Sequence, residues 1–330
     1  MSGRPRLSIG LPVYNGEKYL AESLNALLGQ TYQDFELIIS DNASTDGTAD
    51  LCRRYASHDS RIRYTRQPRN IGAAPNHNFV FSEARGELFK WAAADDLYAR
   101  DLLARCVVAL DEQPDVVLAD SWTAAINHAG DVVQTLEYPL ATDSPSAPER
   151  FRSMMCDGSK IPPGLIQADD LYGVMRADML RRIPPHGSFF HADRVLMTEL
   201  ALHGRFYKVP DWLYFRRDHA DRPQHALPNV RAWCINLDPR RSDKRRHPTV
   251  RLIAEYLWGY EAAIRRAPLS ITDRRACEAI LARWIASRAL PAVNRATRGR
   301  TRDGGQVSLP WPTRSISLDT IVAGRGVDSR

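Results

Sequence analysis

Five cysteines in 330 residues, scattered as Cys52, Cys106, Cys156, Cys234 and Cys277 with no Cys-x-x-Cys pair, leave this chain without a zinc-site pattern or a disulfide framework. An odd, scattered set fits a reducing compartment, so a cytoplasmic location is expected. No apolar run approaches the roughly 20 residues that a membrane span requires. The first six residues hold no apolar core, which predicts no signal peptide. No Gly-x-Gly-x-x-Gly follows a predicted strand, so the fingerprint of a dinucleotide-dependent dehydrogenase is missing. A Gly-rich, Arg-containing loop after the first apolar run is missing too, because Pro12-Val13-Tyr14-Asn15-Gly16 stands there. Asp46-Gly47-Thr48 suggests a haloacid-type phosphatase, but its nucleophile would fall at Ser44. There are no internal repeats.

What is present is ordinary in bulk and uneven in detail. Hydrophobic residues make up 44% and charged residues 25%, the balance of a globular domain with its own core. The net charge is +6. Its excess gathers at Arg240-Arg241, Lys244-Arg245-Arg246, Arg265-Arg266, Arg274-Arg275 and residues 298–302. The plain reading is a solvated Arg-rich surface. The functional one is attraction to an anionic membrane or a phosphorylated acceptor. No nucleic-acid partner is expected, since the clusters lack interleaved aromatics and no such motif occurs.

The first 120 residues alternate strand and helix. Strands are predicted at 7–12, 35–40, 62–65, 88–92 and 116–119. Between them come helices after Asn15, which is placed as a cap, at 48–55, after Pro75, and at 97–110. This alternation predicts an α/β fold with a mostly parallel sheet flanked by helices. Beyond Ser121 the rhythm changes. A hairpin turn is expected at 127–131, loops at 141–148 and 154–167, a helix at 193–203, and strands at 206–209 and 212–216. From Thr249 two amphipathic helices are expected to form a hairpin against the main domain, the second opened by the capping box Ser270–Asp273. The expected organisation is a domain over 1–225, split at 120, then a helical extension over 226–290 and a flexible tail over 291–330.

Two acidic stretches carry the chemistry. Asp41 to Thr48 follows the apolar run ending at Ile39, and Asp95-Asp96 follows the run ending at Ala93. Both put carboxylates where a strand ends and a helix begins, the edge of an open parallel sheet where ligands bind. Carboxylates there, together with substrate phosphates, suit a hard divalent cation. Taken alone, Asp46 reads as a turn or cap residue and Asp193 as a helix cap, since Asp is favoured at both.

Pro12-Val-Tyr14-Asn15, Asp41-Asn-Ala-Ser44-x-Asp46-Gly47-Thr48, Asn70-x-Gly72 with Asn78, and Asp95-Asp96 occur in this order and spacing. Together they closely resemble the inverting nucleotide-sugar glycosyltransferases of family 2, which have the Rossmann-like GT-A fold. The resemblance covers roughly residues 7–220. It implies a metal-dependent enzyme moving a sugar from a nucleotide-diphosphate sugar to an acceptor hydroxyl in cell-surface polysaccharide or glycolipid biosynthesis. The acceptor would be a glycan, a lipid-linked saccharide or a small molecule.

The implied donor-binding residues are Pro12, Tyr14, Asn15, Glu17, Asp41, Asn70, Gly72, Asn78 and Asp95. Tyr14 would stack near the base and Asp41 would accept a hydrogen bond from it. Asp95 resembles the last Asp of the Asp-x-Asp motif and would bind Mg2+ or Mn2+, with Asp96 and His219 as further candidates. The first Asp of that motif is Ala93 here, and His77 stands where relatives often carry Arg. The implied general base is Asp193, with Asp169 and Asp170 next. Tyr214-Phe-Arg-Arg217-Asp-His219 resembles the late strand that approaches the diphosphate. Ala93 leaves open a catalytically degraded glycan-binding or scaffold protein, and a nucleotidyltransferase is a further alternative. The Arg-rich amphipathic segment 250–288 suggests peripheral contact at the inner face of a membrane.

Overall fold

The computed structural model describes residues 4–157 and 169–297. Its centre is β1 (Leu7–Val13), paired in parallel with β2 (Phe35–Asp41) and β4 (Leu88–Trp91), while β3 (Ile62–Arg66) extends the parallel run beyond β2. Leu7, Ile9 and Leu11 are wholly buried, and so are Leu37 and Ile39. These strands read as near-continuous apolar runs because helices cover both faces of the sheet. On one face α1 (Glu17–Leu28), α2 (Thr48–His58) and α4 (Leu102–Glu112) contribute Leu20, Leu24, Cys52, Leu103 and Leu110 to the core. On the other, α3 (Ala73–Ser82), α6 (Ala177–Arg182) and α7 (Ala192–His203) bring Val80, Leu180, Met197 and Leu200. Burying each such side chain contributes about 1.5–3 kcal/mol.

Past β4 the sheet becomes mixed. The full order is β3-β2-β1-β4-β8-β6-β9-β5, where β5 is Leu97–Tyr98, β6 Val116–Ile126, β8 Val174–Arg176 and β9 Arg205–Arg217. β8 lies antiparallel between β4 and β6, β9 runs parallel to β6, and β7 (Val132–Leu136) closes the expected hairpin with β6. A third cluster joins α5 (Ala147–Cys156) and α7 to α10 (Thr249–Arg266) and α11 (Ile271–Thr297) through Phe151, Val195, Tyr260, Ile264 and Leu281. Ser270 Oγ accepts from the Asp273 backbone N–H at 3.1 Å and donates to its carboxylate at 2.8 Å, so the serine of the expected capping box caps α11. Between the main body and α10 come the short α8 (Pro223–Ala226) and α9 (Val230–Leu237), then a 3₁₀ turn at Pro239–Ser242.

Several local expectations are corrected. Asn15 does not cap α1: it sits at φ 51° and Gly16 takes the cap position. The stretch after Asp96 first forms β5, pairing with β9, and α4 starts only at Leu102, because Tyr98 is drawn into the core. Residues 147–156, whose two ends fall in the loops expected at 141–148 and 154–167, are helical. Ser146 caps that helix by accepting from the Glu149 N–H, and Pro148 lies in its first turn, where a missing N–H costs nothing. The two strands expected at 206–216 are one, β9, with register shifts against β6. α11 continues to Thr297, seven residues into the segment read as tail from 291. The remainder of that segment, and most of the loop expected at 154–167, lie outside the described residues.

Candidate active site

The carboxyl ends of β1, β2 and β4 form one edge. Val13 is in register with Asp41, and the Asn42 N–H donates to the Val13 carbonyl at 2.8 Å. The Ala92 N–H reaches the Gly10 carbonyl at 2.9 Å, bringing the loop after β4 alongside. A Cβ on Gly16 would stand 3.6 Å from Ala94 Cβ, so the loops carrying Tyr14 and Asp95 are direct neighbours. The two acidic stretches therefore share this edge, as their positions after apolar runs required.

The loops after β1 and β2 are laced together. Asn15 N–H donates to Ser44 Oγ at 2.9 Å, and its side-chain oxygen accepts from the Thr45 N–H at 2.9 Å. The Glu17 carboxylate accepts from the Gly47 N–H at 2.9 Å, while the Glu17 N–H donates to Asp46 at 3.1 Å. Asn15, Glu17 and Asp46 thus satisfy loop amides that have no partner in secondary structure. Tyr14 projects from this braced loop with 49% of its surface exposed. Pro12 lies within β1, opposite Ser40.

Asp41 is wholly buried. One oxygen accepts from the Ser44 N–H at 2.8 Å; the other accepts from Tyr64 Oη at 3.1 Å and lies 3.4 Å from Arg66 Nε. Burial, and then the Asp41 charge, push the Tyr64 phenol above its ordinary range. Asn70 turns its side-chain oxygen onto the Gly72 N–H at 2.9 Å and accepts from Asn42 at 3.0 Å. Gly72 has φ +94°, and a Cβ there would come within 2.5 Å of the Leu237 carbonyl. Glycine is required by backbone conformation and by the close approach of the segment after α9.

The second acidic stretch divides into an open and a closed carboxylate. Asp95 keeps about a quarter of its side chain exposed, and its Oδ2 lies 2.9 Å from His219 Nε2 and 3.9 Å from Arg222 Nε. Burial opposes ionisation of Asp95, but His219 and Arg222 outweigh it and hold the carboxyl below its usual range. Asp96, expected beside a metal, points inward instead and has no exposed surface. Tyr214 Oη donates to one of its oxygens and the Arg217 N–H to the other at 2.9 Å, with Arg222 3.8 Å away. Burial pushes the Asp96 carboxyl up despite that guanidinium. Asp96 is an internal anchor tying the loop after β4 to the end of β9. Ala93, where the first motif acid is absent, is pinned by its backbone: its N–H donates to Tyr98 Oη at 2.9 Å and its carbonyl accepts from Ser23 at 2.9 Å.

Arg217 and Arg222 complete this corner. Arg217 donates to the Asp95 carbonyl at 2.9 Å and to Glu22 at 2.6 Å, and lies over the Tyr19 ring. Arg222 donates to the Arg217 carbonyl at 2.6 Å. Burial works against the Arg222 charge, and Asp96 and Asp95 more than offset it. Arg222 escaped the sequence reading; its only signal was an extra cation three residues after His219.

Of the remaining candidates, Asp169 borders this corner, since its carboxyl feels the charges of Arg222 and Asp96. Asp193 is in the first turn of α7, after His191 at φ 58°, and accepts from the Arg194 N–H at 2.9 Å. Its charge is felt at His77 of α3, whose ring lies 5.5 Å from that of His186. Asn78 spends its whole amide on the His186 backbone, donating to the carbonyl at 2.9 Å and accepting from the N–H at 2.8 Å. Among the described residues no hydrogen bond or ion pair joins Asp193 to Asp95 or Asp41. Asp170 is locked by Tyr138 Oη at 3.0 Å and by Lys208, which also grips Asp120. Asp169 lies 3.8 Å from Arg216 and burial pushes its carboxyl up to about 6.

With this geometry in hand, residues 8–161 match the family described as Glycosyl transferase family 2. The putative glycosyltransferase EpsE of Bacillus subtilis is 29% identical over 229 residues, 67% of this chain and 76% of EpsE. Glycosyltransferase GlyG of Streptococcus pneumoniae is 33% identical over 34% of this chain, and abequosyltransferase RfbV of Salmonella typhimurium 38% identical over 34%. The matched regions span only 38% of GlyG and 35% of RfbV. The S. aureus TarS 1-349 structure in complex with UDP-GlcNAc superposes on 85% of this chain and 71% of its own, with a TM-score of 0.59 and 19% identity. The shared architecture is the GT-A fold.

Proposed function

We propose, from the match of residues 8–161 to the family described as Glycosyl transferase family 2, transfer of a sugar from a nucleotide-diphosphate sugar to an acceptor hydroxyl, with inversion at the sugar carbon. The observation that carries this reading is the 2.9 Å approach of His219 to Asp95 beside the exposed Tyr14 loop. A carboxylate and an imidazole facing each other at a ligand-binding sheet edge are a donor pair for Mg2+ or Mn2+. No group of three or more such side chains occurs among the described residues. Asp95 and His219 would therefore share the cation with the donor's phosphate oxygens, as Mg2+ sites commonly do. Bound there, the metal would offset charge on the leaving diphosphate.

The chain's own residues supply the rest. Tyr14 offers its exposed ring to the nucleobase. Asp41, fixed by Ser44 and Tyr64, orients that pocket. Asp193 takes the proton from the acceptor hydroxyl as its oxygen bonds to the anomeric carbon. The bond from that carbon to the phosphate oxygen breaks with its electron pair leaving on the nucleoside diphosphate. The sugar passes through an oxocarbenium-like state, and no covalent enzyme intermediate forms. The proposed setting is cell-surface polysaccharide or glycolipid assembly.

The test is nucleotide release from a panel of nucleotide sugars with Mn2+, Mg2+ or chelator. Release that needs metal and disappears in Asp95→Ala is expected. No release from any donor, or equal release by the variant, overturns the reading. Asp193→Asn should fold normally and lower kcat for transfer by about 10²–10⁴. Full transfer by that variant moves the base elsewhere, with Asp169 next.

A further inference from the structure

α10 buries Leu252, Tyr260, Ala263 and Ile264 against the domain, yet its outer side is also apolar. Val250 is 75% exposed, Ile253 47% and Trp258 62%. A helix that has already buried one apolar stripe has no folding reason to carry a second. The segment leading into it is strongly basic: residues 240–251 hold six Lys and Arg against a single carboxylate, Asp243. Lys244, Arg245, Arg246 and Arg251 are all exposed there. Arg251 donates to the Arg246 carbonyl at 2.9 Å, which folds the basic turn back along the start of the helix. Arg251 and Trp258 are seven residues apart, two helical turns, and so share one side. Val250 lies within about 100° of both around the helix, whereas Ile253 stands at the margin of the buried stripe, about 60° to the other side of Val250. Trp258 also lines a mostly apolar groove of about 310 Å³ with Phe189, Val195 and Gly259, where Glu199, Glu255 and Arg266 are the charged members.

We propose that this surface seats on an anionic lipid bilayer, with Lys244, Arg245, Arg246 and Arg251 on the headgroups and Val250, Ile253 and Trp258 entering the acyl boundary. The charge selects the occupant: a basic rim around exposed aliphatic and indole side chains matches a negatively charged, amphipathic interface. Trp is suited to that boundary because one part of its ring system is apolar and its N–H stays wet. No described helix is long and apolar enough to cross a membrane, so the contact is a surface one. The inference stands whether or not the chain is a transferase.

Flotation of the full chain with vesicles of phosphatidylcholine alone, or containing 30% phosphatidylglycerol, tests it. Recovery with the anionic vesicles only, and loss of binding at high salt, is expected. Lys244→Glu/Arg245→Glu/Arg246→Glu should lower the partition coefficient roughly a hundredfold. Ile253→Ser/Trp258→Ser should lower it about tenfold or more at unchanged charge. Both variants should keep the parent's circular dichroism and nucleotide release without vesicles. Recovery in the soluble fraction at low salt overturns the proposal. So does vesicle binding indifferent to both variants, a Trp258-dependent dimer without vesicle binding, or retention on duplex DNA alone.

Discussion

His219 Nε2 stands 2.9 Å from Asp95 Oδ2, although 124 residues separate them along the chain. The contact joins the loop after β4 to the end of β9, the two halves of the sheet. Arg222 and Arg217 close round it from the same side.

His219→Ala removes one of the two side chains proposed to hold a cation. Mn2+ affinity, measured by titration calorimetry in the presence of nucleoside diphosphate, should fall at least 10- to 100-fold, the loss seen even for outer-sphere partners. Asp95→Ala should do the same. Unchanged Mn2+ binding in both variants would remove the pair from the metal site.

Asp96→Asn should behave differently from Asp95→Ala. Arg222 and the Arg217 N–H are arranged around a buried negative charge. Neutralising it leaves Arg222 with a weaker counter-charge in a dry corner, a loss of about 3–5 kcal/mol. Denaturant unfolding should show a larger loss in Asp96→Asn than in Asp95→Ala, whose partly exposed carboxylate is the second counter-charge of Arg222. A stable but inactive Asp96→Asn would return Asp96 to the ligand set.

Gly72→Ala meets two obstacles, φ +94° and the Leu237 carbonyl at 2.5 Å. Stability should fall by roughly 1–3 kcal/mol. Protease sensitivity should appear first at residues 229–242, the segment that Gly72 admits. Parent-like stability and digestion would contradict the close approach.

His77 and His186 should make the fold acid-sensitive. Burial lowers both imidazoles to about 4, aided at His77 by the neighbouring His186. Below the ordinary value of about 6.5 the unfolded chain binds protons that the native state refuses. Stability is therefore full above that pH and falls as pH drops towards 4, by about 2–3 kcal/mol per ring. Unfolding free energies measured from pH 7 to pH 4 should show the slope, and His186→Phe should reduce it. A flat profile would mean that the rings are solvated.

Local pattern made the first half of the fold readable. β1 and β2 are near-continuous apolar runs because both faces are covered, interrupted by the buried pair Ser8 and Glu36, and Asp41 and Asp95 follow shortly after such runs. Where two local signals competed, the reading failed. Ser146 is a helix N-cap that accepts from the Glu149 N–H, but the Pro and Ser around it resembled a loop. Leu97 and Tyr98 continue a helical pattern, yet β9 claims them as strand. Asp96 stayed a further metal candidate beside Asp95, since adjacent carboxylates in a sequence carry no sign of which faces inward.

The amino-acid order by itself determined the alternation of strands and helices and the placing of both acidic stretches at strand ends, because hydrophobic period and turn chemistry act over a few residues. Only the tertiary structure decided that His219 and Arg222 meet Asp95, that Asp96 is an anchor, that Asn78 holds the His186 backbone, and that α10 keeps a second apolar side outward. Those outcomes depend on β9 crossing to the edge where β4 ends and on α10 packing against α7. Contacts between segments more than a hundred residues apart leave no periodic trace in either one.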